Sequence, residues 1–455
     1  MGDIIKDEVL GELEYNKYVW VRSMDKTLYG SDVVIRVIVQ DENQEGILDV
    51  QRKAYQTYLE NEEKYINEAP KYVLDYYKWN FEEIDRVVEL EPGDQKDTIT
   101  EKALFEMCKV YFLQIARNGS FGWVFGCSWI ERKGFVVILS EEEPRILMNR
   151  DEFRYLHKMN DETFGLLVHD VANSWKGLTK HSFFGVEENL VIELEGSVED
   201  SITDAQKKAY AEYLEKEEEL FKRFSKMMLT VYAGSESKAE EMLSQGIPVN
   251  VATVLPKTLS IDKEGNYGWI CYTSWDAGYI GVLLSDDEIY IMNEFDLREY
   301  RTKDKVKDEV LGLMFYDSMM HQKLLIVRLA GAVRTLPLHV RTMNGAKIND
   351  KVRSAYKRFL ELNPTLWEEI KDLTLEYYLG NYDEFIQYIE DPDELHKNKV
   401  NRENIVPELL EFTSLYISSS DGLVGWLCES LTDDDGLAFE FTDGRIKLIP
   451  QPEII

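Results

Sequence analysis

The side chains best suited to chemistry gather in one segment that occurs three times. It reads Cys127-Ser128-Trp129-Ile130-Glu131-Arg132-Lys133-Gly134, then Ser274-Trp275-Asp276-Ala277-Gly278, then Leu431-Thr432-Asp433-Asp434-Asp435-Gly436. Carboxylates such as Glu131, Asp276 and Asp433 could serve as the acid and base of a hydrolase if a cleft brought them together. An indole beside a carboxylate is equally the kind of pair that anchors a protein partner. Trp129, Glu131, Trp275, Asp276, Asp433 and Asp434 are therefore the candidate binding residues, and no catalytic residue is assigned. The bland reading of Trp129 and Trp275 is that both rings fill the core of a hairpin.

Other chemistry finds little support. No phosphate-binding loop, dinucleotide-binding glycine run, Gly-x-Ser-x-Gly elbow or His-Glu-x-x-His pattern occurs. The six histidines, His157, His169, His181, His321, His339 and His396, never stand three or four apart, so no metal site is expected. Asp433-Asp434-Asp435-Gly436 lacks the alternating acids and distal Glu of a calcium loop and reads as a hairpin turn. Cys108, Cys127, Cys271 and Cys428 lie far apart in sequence, and the last three, which follow the Gly-Trp pairs, read as small apolar strand residues. No cofactor is expected.

The elements that would position these segments also recur. Asp7-Glu8-Val9-Leu10-Gly11 returns as Asp161-Glu162-Thr163-Phe164-Gly165 and as Asp308-Glu309-Val310-Leu311-Gly312. Each block is followed by a strand signal: Val33 to Val39, then Leu190/Ile192/Leu194, then Leu336/Leu338/Val340. Asp49, Asp204 and Asp350 each stand five residues before the Ala of an Ala-Tyr pair and are expected as helix N-caps. The helices carry apolar stripes: Ala54, Tyr55, Tyr58 and Leu59; Ala209, Tyr210, Tyr213 and Leu214; Ala355, Tyr356, Phe359 and Leu360. Pro70 and Pro364 are expected to bend or end them. A meander closes each block, with Gly122-Trp123, Gly268-Trp269 and Gly425-Trp426 on its strands and turns at Glu141-Glu142-Glu143, Asp286-Asp287 and Asp443-Gly444.

This order predicts an α+β protein of three tandem repeats, 1–155, 156–302 and 303–455, each a mainly antiparallel sheet packed on a long amphipathic helix. Sequential hairpins argue against a βαβ order. The linkers near 151–160 and 301–307 are short and charged.

The final hairpin and the helix opening Ala-Tyr-x-x-Tyr/Phe-Leu resemble a family of uncharacterised bacterial domains whose last hairpin carries a Trp-Asp-x-Glu-His-Gly turn. That family is similar in setting to immunity proteins of polymorphic toxin systems. The first copy has Ile130 and Lys133 in the turn, the second keeps Trp275-Asp276 but is a residue shorter, and the third has Leu431 for the Trp. If the family's turn is an acid–base pair, its loss here favours a structural or partner-binding role.

Charge narrows the partner. The 455 residues carry a formal net charge of −33, spread as −11, −13 and −9 over the three copies, so direct binding to nucleic acid or anionic lipid is disfavoured. Aromatic residues at 12%, including 26 Tyr, exclude a disordered chain. Met1 to Leu10 has no secretory pattern, Lys6 stands where a myristoylation signal wants Ser or Thr, and no apolar run spans a bilayer. The expectation is an acidic cytoplasmic protein-binding scaffold, an immunity protein that neutralises a basic toxin by direct contact. Two alternatives stay open: a DNA mimic that inhibits a nucleic-acid-binding protein, disfavoured by Lys216 and Lys222 among Glu215, Glu217, Glu218 and Glu219, and a hydrolase with its carboxylates at the final hairpins.

Overall fold

The three Asp-Glu-x-x-Gly blocks are tight hairpins, built by a carboxylate that accepts two backbone N–H groups. Asp7 Oδ1 accepts from Val9 and Leu10, both at 2.9 Å; Asp161 from Thr163 and Phe164 at 2.8 and 3.3 Å; Asp308 from Val310 and Leu311 at 2.9 and 3.0 Å. The glycine opposite the aspartate takes a left-handed backbone, φ +78°, +71° and +75° at Gly11, Gly165 and Gly312, where a side chain would be strained.

The computed structural model describes residues 3–28, 31–41, 45–79, 81, 84, 99–100, 103–104, 108–127, 134–140, 145–149, 157–169, 173–183, 186–233, 237–239, 241, 254–273, 278–285, 288–300, 303–317, 320–329, 332–342, 347–386, 399–402, 405–430, 433–442 and 444–451. The protein is mixed α+β, with three eight-stranded sheets and, among the described residues, seven helices. The first sheet runs in chain order through Ile4–Asp7, Gly11–Asn16, Val19–Leu28, Ser31–Gln40, Cys108–Ile115, Phe121–Cys127, Phe135–Ile138 and Arg145–Asn149. The second, His157–Asp161 to Glu288–Asn293, and the third, Lys305–Asp308 to Arg445–Pro450, keep the same order. By backbone contacts the chain divides into two compact units, Met1–Lys208 with Ile261–Gly265 and Ala209–Ser260 with Asn266–Ile455, so the division passes through the middle sheet.

The sheets are antiparallel-dominated, with one departure from the expected run of hairpins. Ser31–Gln40 pairs in parallel with Cys108–Ile115, and Ala332–Arg341 with Leu410–Ser418. A parallel pair needs a long crossover, and the segment between these strands carries the helices Asp49–Glu60 and Glu62–Trp79 in the first sheet and Asp350–Gly380 in the third. The expected turns at 141–143 and 286–287, most of 151–160, and 301–302 lie outside the described residues.

The helix starts differ from expectation by one residue. Asp49, Asp204 and Asp350 are the first helical residues, not the caps. Capping needs an acceptor on the extended residue before them: Thr203 Oγ1 accepts the N–H of Gln206 at 3.1 Å, and Asn349 Oδ1 that of Val352 at 3.1 Å. Leu48 has no acceptor to offer. There Gln51 turns back, accepting the Leu48 N–H at 2.9 Å and donating to the Gln40 carbonyl at 2.8 Å, which ties the helix to the end of the fourth strand. Gln206 makes the matching pair with Thr203 and Glu195. Pro70 lies inside Glu62–Trp79, the first helix instead breaks at Asn61, and the third runs unbroken past Pro364.

The expected stripes are buried at Ala54, Tyr55 and Tyr58, at Ala209, Tyr210 and Tyr213, and at Ala355, Tyr356 and Phe359. The last ring of each set meets a buried strand tryptophan: Tyr58 and Trp123 at 6.5 Å, Tyr213 and Trp269 at 6.2 Å, Phe359 and Trp426 at 5.3 Å between centroids, all edge-on. Leu59, Leu214 and Leu360, assigned by sequence to the same stripe, are exposed. Each follows its buried ring by one residue, which in a helix is about 100° around the axis.

A charged clamp joins each hairpin to its helix. Asp7 Oδ2 accepts from Arg52 Nε at 2.8 Å, Asp161 Oδ2 pairs with Lys207 Nζ at 2.9 Å, and Asp308 Oδ2 accepts from Arg353 Nε at 3.0 Å. Burial opposes ionisation of Asp308, but the Leu311 and Val310 N–H groups and Arg353 outweigh it and hold its carboxyl below the usual range. The net shift has the same direction at Asp7 and Asp161. Replacing Arg353 by Met strands a carboxylate whose side chain is 2% exposed, and should lower stability at pH 7 by about 2–3 kcal/mol in denaturant unfolding. A carboxyl whose folded pKa is depressed stabilises above its unfolded value near pH 4 and loses that contribution as pH falls through the folded value. The gap between wild type and R353M should therefore shrink from pH 7 to pH 3; a gap that does not change with pH would show that the clamp is not electrostatic.

Candidate functional site

Of the six candidate binding residues, Trp129, Glu131, Trp275 and Asp276 lie outside the described residues. Asp433 and Asp434 open the strand Asp433–Thr442, with Asp433 opposite Ser430. The expected turn at Asp433–Gly436 is thus corrected: these residues belong to the strand, whose register shifts as at a bulge, because Cys428 pairs with Leu437 while Ser430 pairs with Asp433. Gly436 permits it. Its φ is +74°, and a Cβ there would lie 2.9 Å from the Cys428 carbonyl oxygen. Gly134 takes φ +60° against the Phe125 carbonyl at the same place in the first sheet. The glycine of this segment is thus a requirement of the sheet at both ends of the chain.

Three of the four thiols are unsuited to nucleophilic work. Cys108, Cys271 and Cys428 are buried, and burial pushes each thiol well above its ordinary pKa, at Cys108 with help from neighbouring Cys127. Distant in sequence, Cys108 and Cys127 are directly opposite in the sheet, both as free thiols. His169 Nε2 lies 2.9 Å from the Gly196 carbonyl oxygen, and burial lowers the pKa of His339. Among the described residues no group of three or more His, Cys, Asp or Glu could hold a metal ion, and no helix is long and apolar enough to cross a membrane.

Two features of the described surface are open to ligands or partners. One is a leucine followed by a glutamate, at the same register in all three long helices: Leu59-Glu60, Leu214-Glu215 and Leu360-Glu361. The leucines are 44%, 48% and 50% exposed, and each glutamate is exposed beside its leucine.

The other is a cavity of about 360 Å³ in the second compact unit, lined by Met227, Met228, Val231, Tyr290, Leu313 and Lys323 among others. Lys323 donates to the Leu311 carbonyl and holds its ammonium 5.3 Å from the Tyr356 ring centroid. Arg22 donates to the Leu10 carbonyl in the first sheet in the same way. Burial pushes the Lys323 ammonium down to about 8 against the smaller upward pull of Asp308.

With this geometry in place, the chain can be set beside known proteins. Residues 9–149 match a domain of unknown function (DUF6985). The match starts just before the second strand of the first sheet and ends with its eighth, so it takes in nearly all of that sheet. No curated protein and no solved structure matches the chain.

Sequence reasoning passed over the clamps, although their signal was present: a basic residue follows each hairpin aspartate by 45 or 46 positions, at Arg52, Lys207 and Arg353. Lys323 gave no signal, since its burial depends on a strand and a hairpin packed around it. A lysine whose folded pKa lies below its unfolded value is a burden below pH 8, relieved as pH rises towards 10.5, because the unfolded chain holds the extra proton in that window. Lys323→Met should raise stability at pH 7 by on the order of 2 kcal/mol, net of the lost hydrogen bond to Leu311. Urea unfolding of both proteins from pH 7 to 10 should show the advantage of the variant declining above pH 8; a variant less stable at pH 7 would mean that the hydrogen bond and ring contact outweigh burial.

Proposed function

We propose that the chain is a protein-binding scaffold of three copies of one domain, 1–155, 156–302 and 303–455, each an eight-stranded sheet resting on its long amphipathic helix. On this reading it is a cytoplasmic immunity protein that neutralises a basic toxin by direct contact, with no cofactor.

The carrying observation is the exposed Leu-Glu pair found in each of the three helices. An isolated surface leucine needs no explanation. Three at one register, each one residue past a buried ring and each beside an exposed acid, form a repeated anchor: the leucine supplies apolar area at the centre of a contact, and the acids steer an oppositely charged surface towards it. The net charge of −33 extends that steering over the molecule. The reactive side chains argue the same way, because the buried thiols are raised out of the range of nucleophiles and the hairpin aspartates are held by backbone N–H groups and a cation. The resemblance to immunity-type domains fits a role of this kind.

The test compares the wild-type chain with a Leu59→Glu, Leu214→Glu, Leu360→Glu variant, both immobilised and exposed to native host lysate. All three side chains face solvent, so the variant should keep the wild-type circular dichroism and melting curve. Wild type should retain a basic protein whose capture falls steeply with added salt, and the variant should retain it roughly tenfold less. Recovery of no specific protein, or equal capture by both chains, would dismiss the reading.

A further inference from the structure

Residues alternate between the two faces of a strand, so the neighbours of the buried tryptophans form a second face on each sheet. In the first sheet Phe112, Val124, Val136 and Ile138 cluster on that face, and the residue that joins them is Val168, from the second strand of the following sheet. The contact recurs inside the other compact unit. There Ile270, Leu283 and Met292 of the second sheet cluster with Leu313 and Phe315, again from the second strand of the following sheet. The Phe315 ring stands edge-on to Tyr300 at 6.2 Å.

Register identifies the same positions at the two places where, among the described residues, no such contact forms. Counting from the hairpin glycine, the first and third residues of the second strand are Leu166 and Val168 in the second sheet and Leu313 and Phe315 in the third, all buried. In the first sheet they are Glu12 and Glu14, both exposed. At the other end the donating face of the third sheet keeps a buried apolar cluster of Tyr416, Leu427 and Ala438 but changes to polar residues at two positions, of which Ser414 is buried. The residue opposite the glycine of the Gly-Trp pair is Ile138 against Gly122, Leu283 against Gly268, and Glu440 against Gly425. The residue opposite the position after the tryptophan is Phe112 against Val124 in the first sheet, and Ser414 against Leu427 in the third.

We infer that this face-to-strand contact is the joint by which successive copies dock, and that Glu12 with Glu14 and Ser414 with Glu440 cap the first and third copies against docking a second chain of the same kind. The inference rests on the three-copy reading proposed above but not on any toxin. A joint of this type is heterologous: the donating and accepting surfaces differ, so apolar versions at both ends would let chains add head to tail without closing. Repeat proteins meet that hazard with terminal units whose outer faces are polar. Docking a further copy here would take Glu12, Glu14 and Glu440 out of water, a desolvation cost that the apolar internal joints do not carry.

The test uses full chains with the caps replaced by residues from the internal joints. E12L/E14V gives the first copy an accepting strand like that of the second; S414F/E440I gives the third copy a donating face like that of the first. At tens of micromolar, light scattering after size exclusion should find wild type and each variant alone as single chains, and a 1:1 mixture of the two variants as a two-chain complex. A chain carrying all four substitutions should form assemblies that grow with concentration. In the opposite direction, L313E/F315E places the first copy's charges in an internal joint, and should leave the circular dichroism unchanged while protease cuts between the second and third sheets at least tenfold faster. Single chains in the mixture with both variants folded as wild type, self-association of either variant alone, or unchanged cutting of L313E/F315E would overturn the joint, whether or not a toxin is ever captured.

Discussion

The interaction on which the rest depends is the carboxylate that closes each hairpin and then reaches a cation on the helix. Asp7, Asp161 and Asp308 each use one oxygen to hold two backbone N–H groups and the other to meet Arg52, Lys207 or Arg353. One side chain thereby fixes both the reversal between the first two strands and the docking of a helix start some 45 residues away. An ion pair at an exposed site is worth little. Here the acid is nearly buried, so the pair sets geometry: it fixes which end of the helix meets the hairpin, and so where the buried rings fall against Trp123, Trp269 and Trp426.

Much of this was legible in the sequence because the signals were local. Alternation at Leu190/Ile192/Leu194 and at Leu336/Leu338/Val340 marked the fourth strands, and the Gly-Trp pairs marked the central strands of the meander. The parallel pairing of the fourth and fifth strands was not legible, since a crossover looks in sequence like any other helix between two strands. Nor was the exact cap: an aspartate at a helix start fits both the cap and the first turn, and only the extended backbone of Leu48 and Asn349 decides between them. Leu59 was misplaced for a simpler reason: it stands about 100° around the helix from Tyr58, on the side where the apolar stripe ends.

Of the candidate site, the glycines were the most readable part and their meaning changed. Gly134 and Gly436 belong to the family-like turn, yet each sits at positive φ against a carbonyl of the neighbouring strand, so the backbone demands them whatever the flanking residues do. That leaves the residues before each of these two glycines free to diverge, as Ile130 and Thr432 do.

The same contrast between kept and released positions runs through the molecule, and it separates folding from recognition. Where a side chain serves the fold within one sheet, the three sheets agree in type: an acid at the hairpin, a cation in the first helical turn, a ring on the helix. At the positions proposed to face a neighbouring sheet they differ, with Leu313 and Phe315 buried in the third sheet and Glu12 and Glu14 exposed at the same register in the first. The exposed Leu-Glu pairs break this pattern. They are exposed, yet agree in all three helices, although a leucine at 44–50% exposure gains little from folding. Agreement without a folding reason is what a shared external contact would produce, and it is why the helix face carries the proposed binding role.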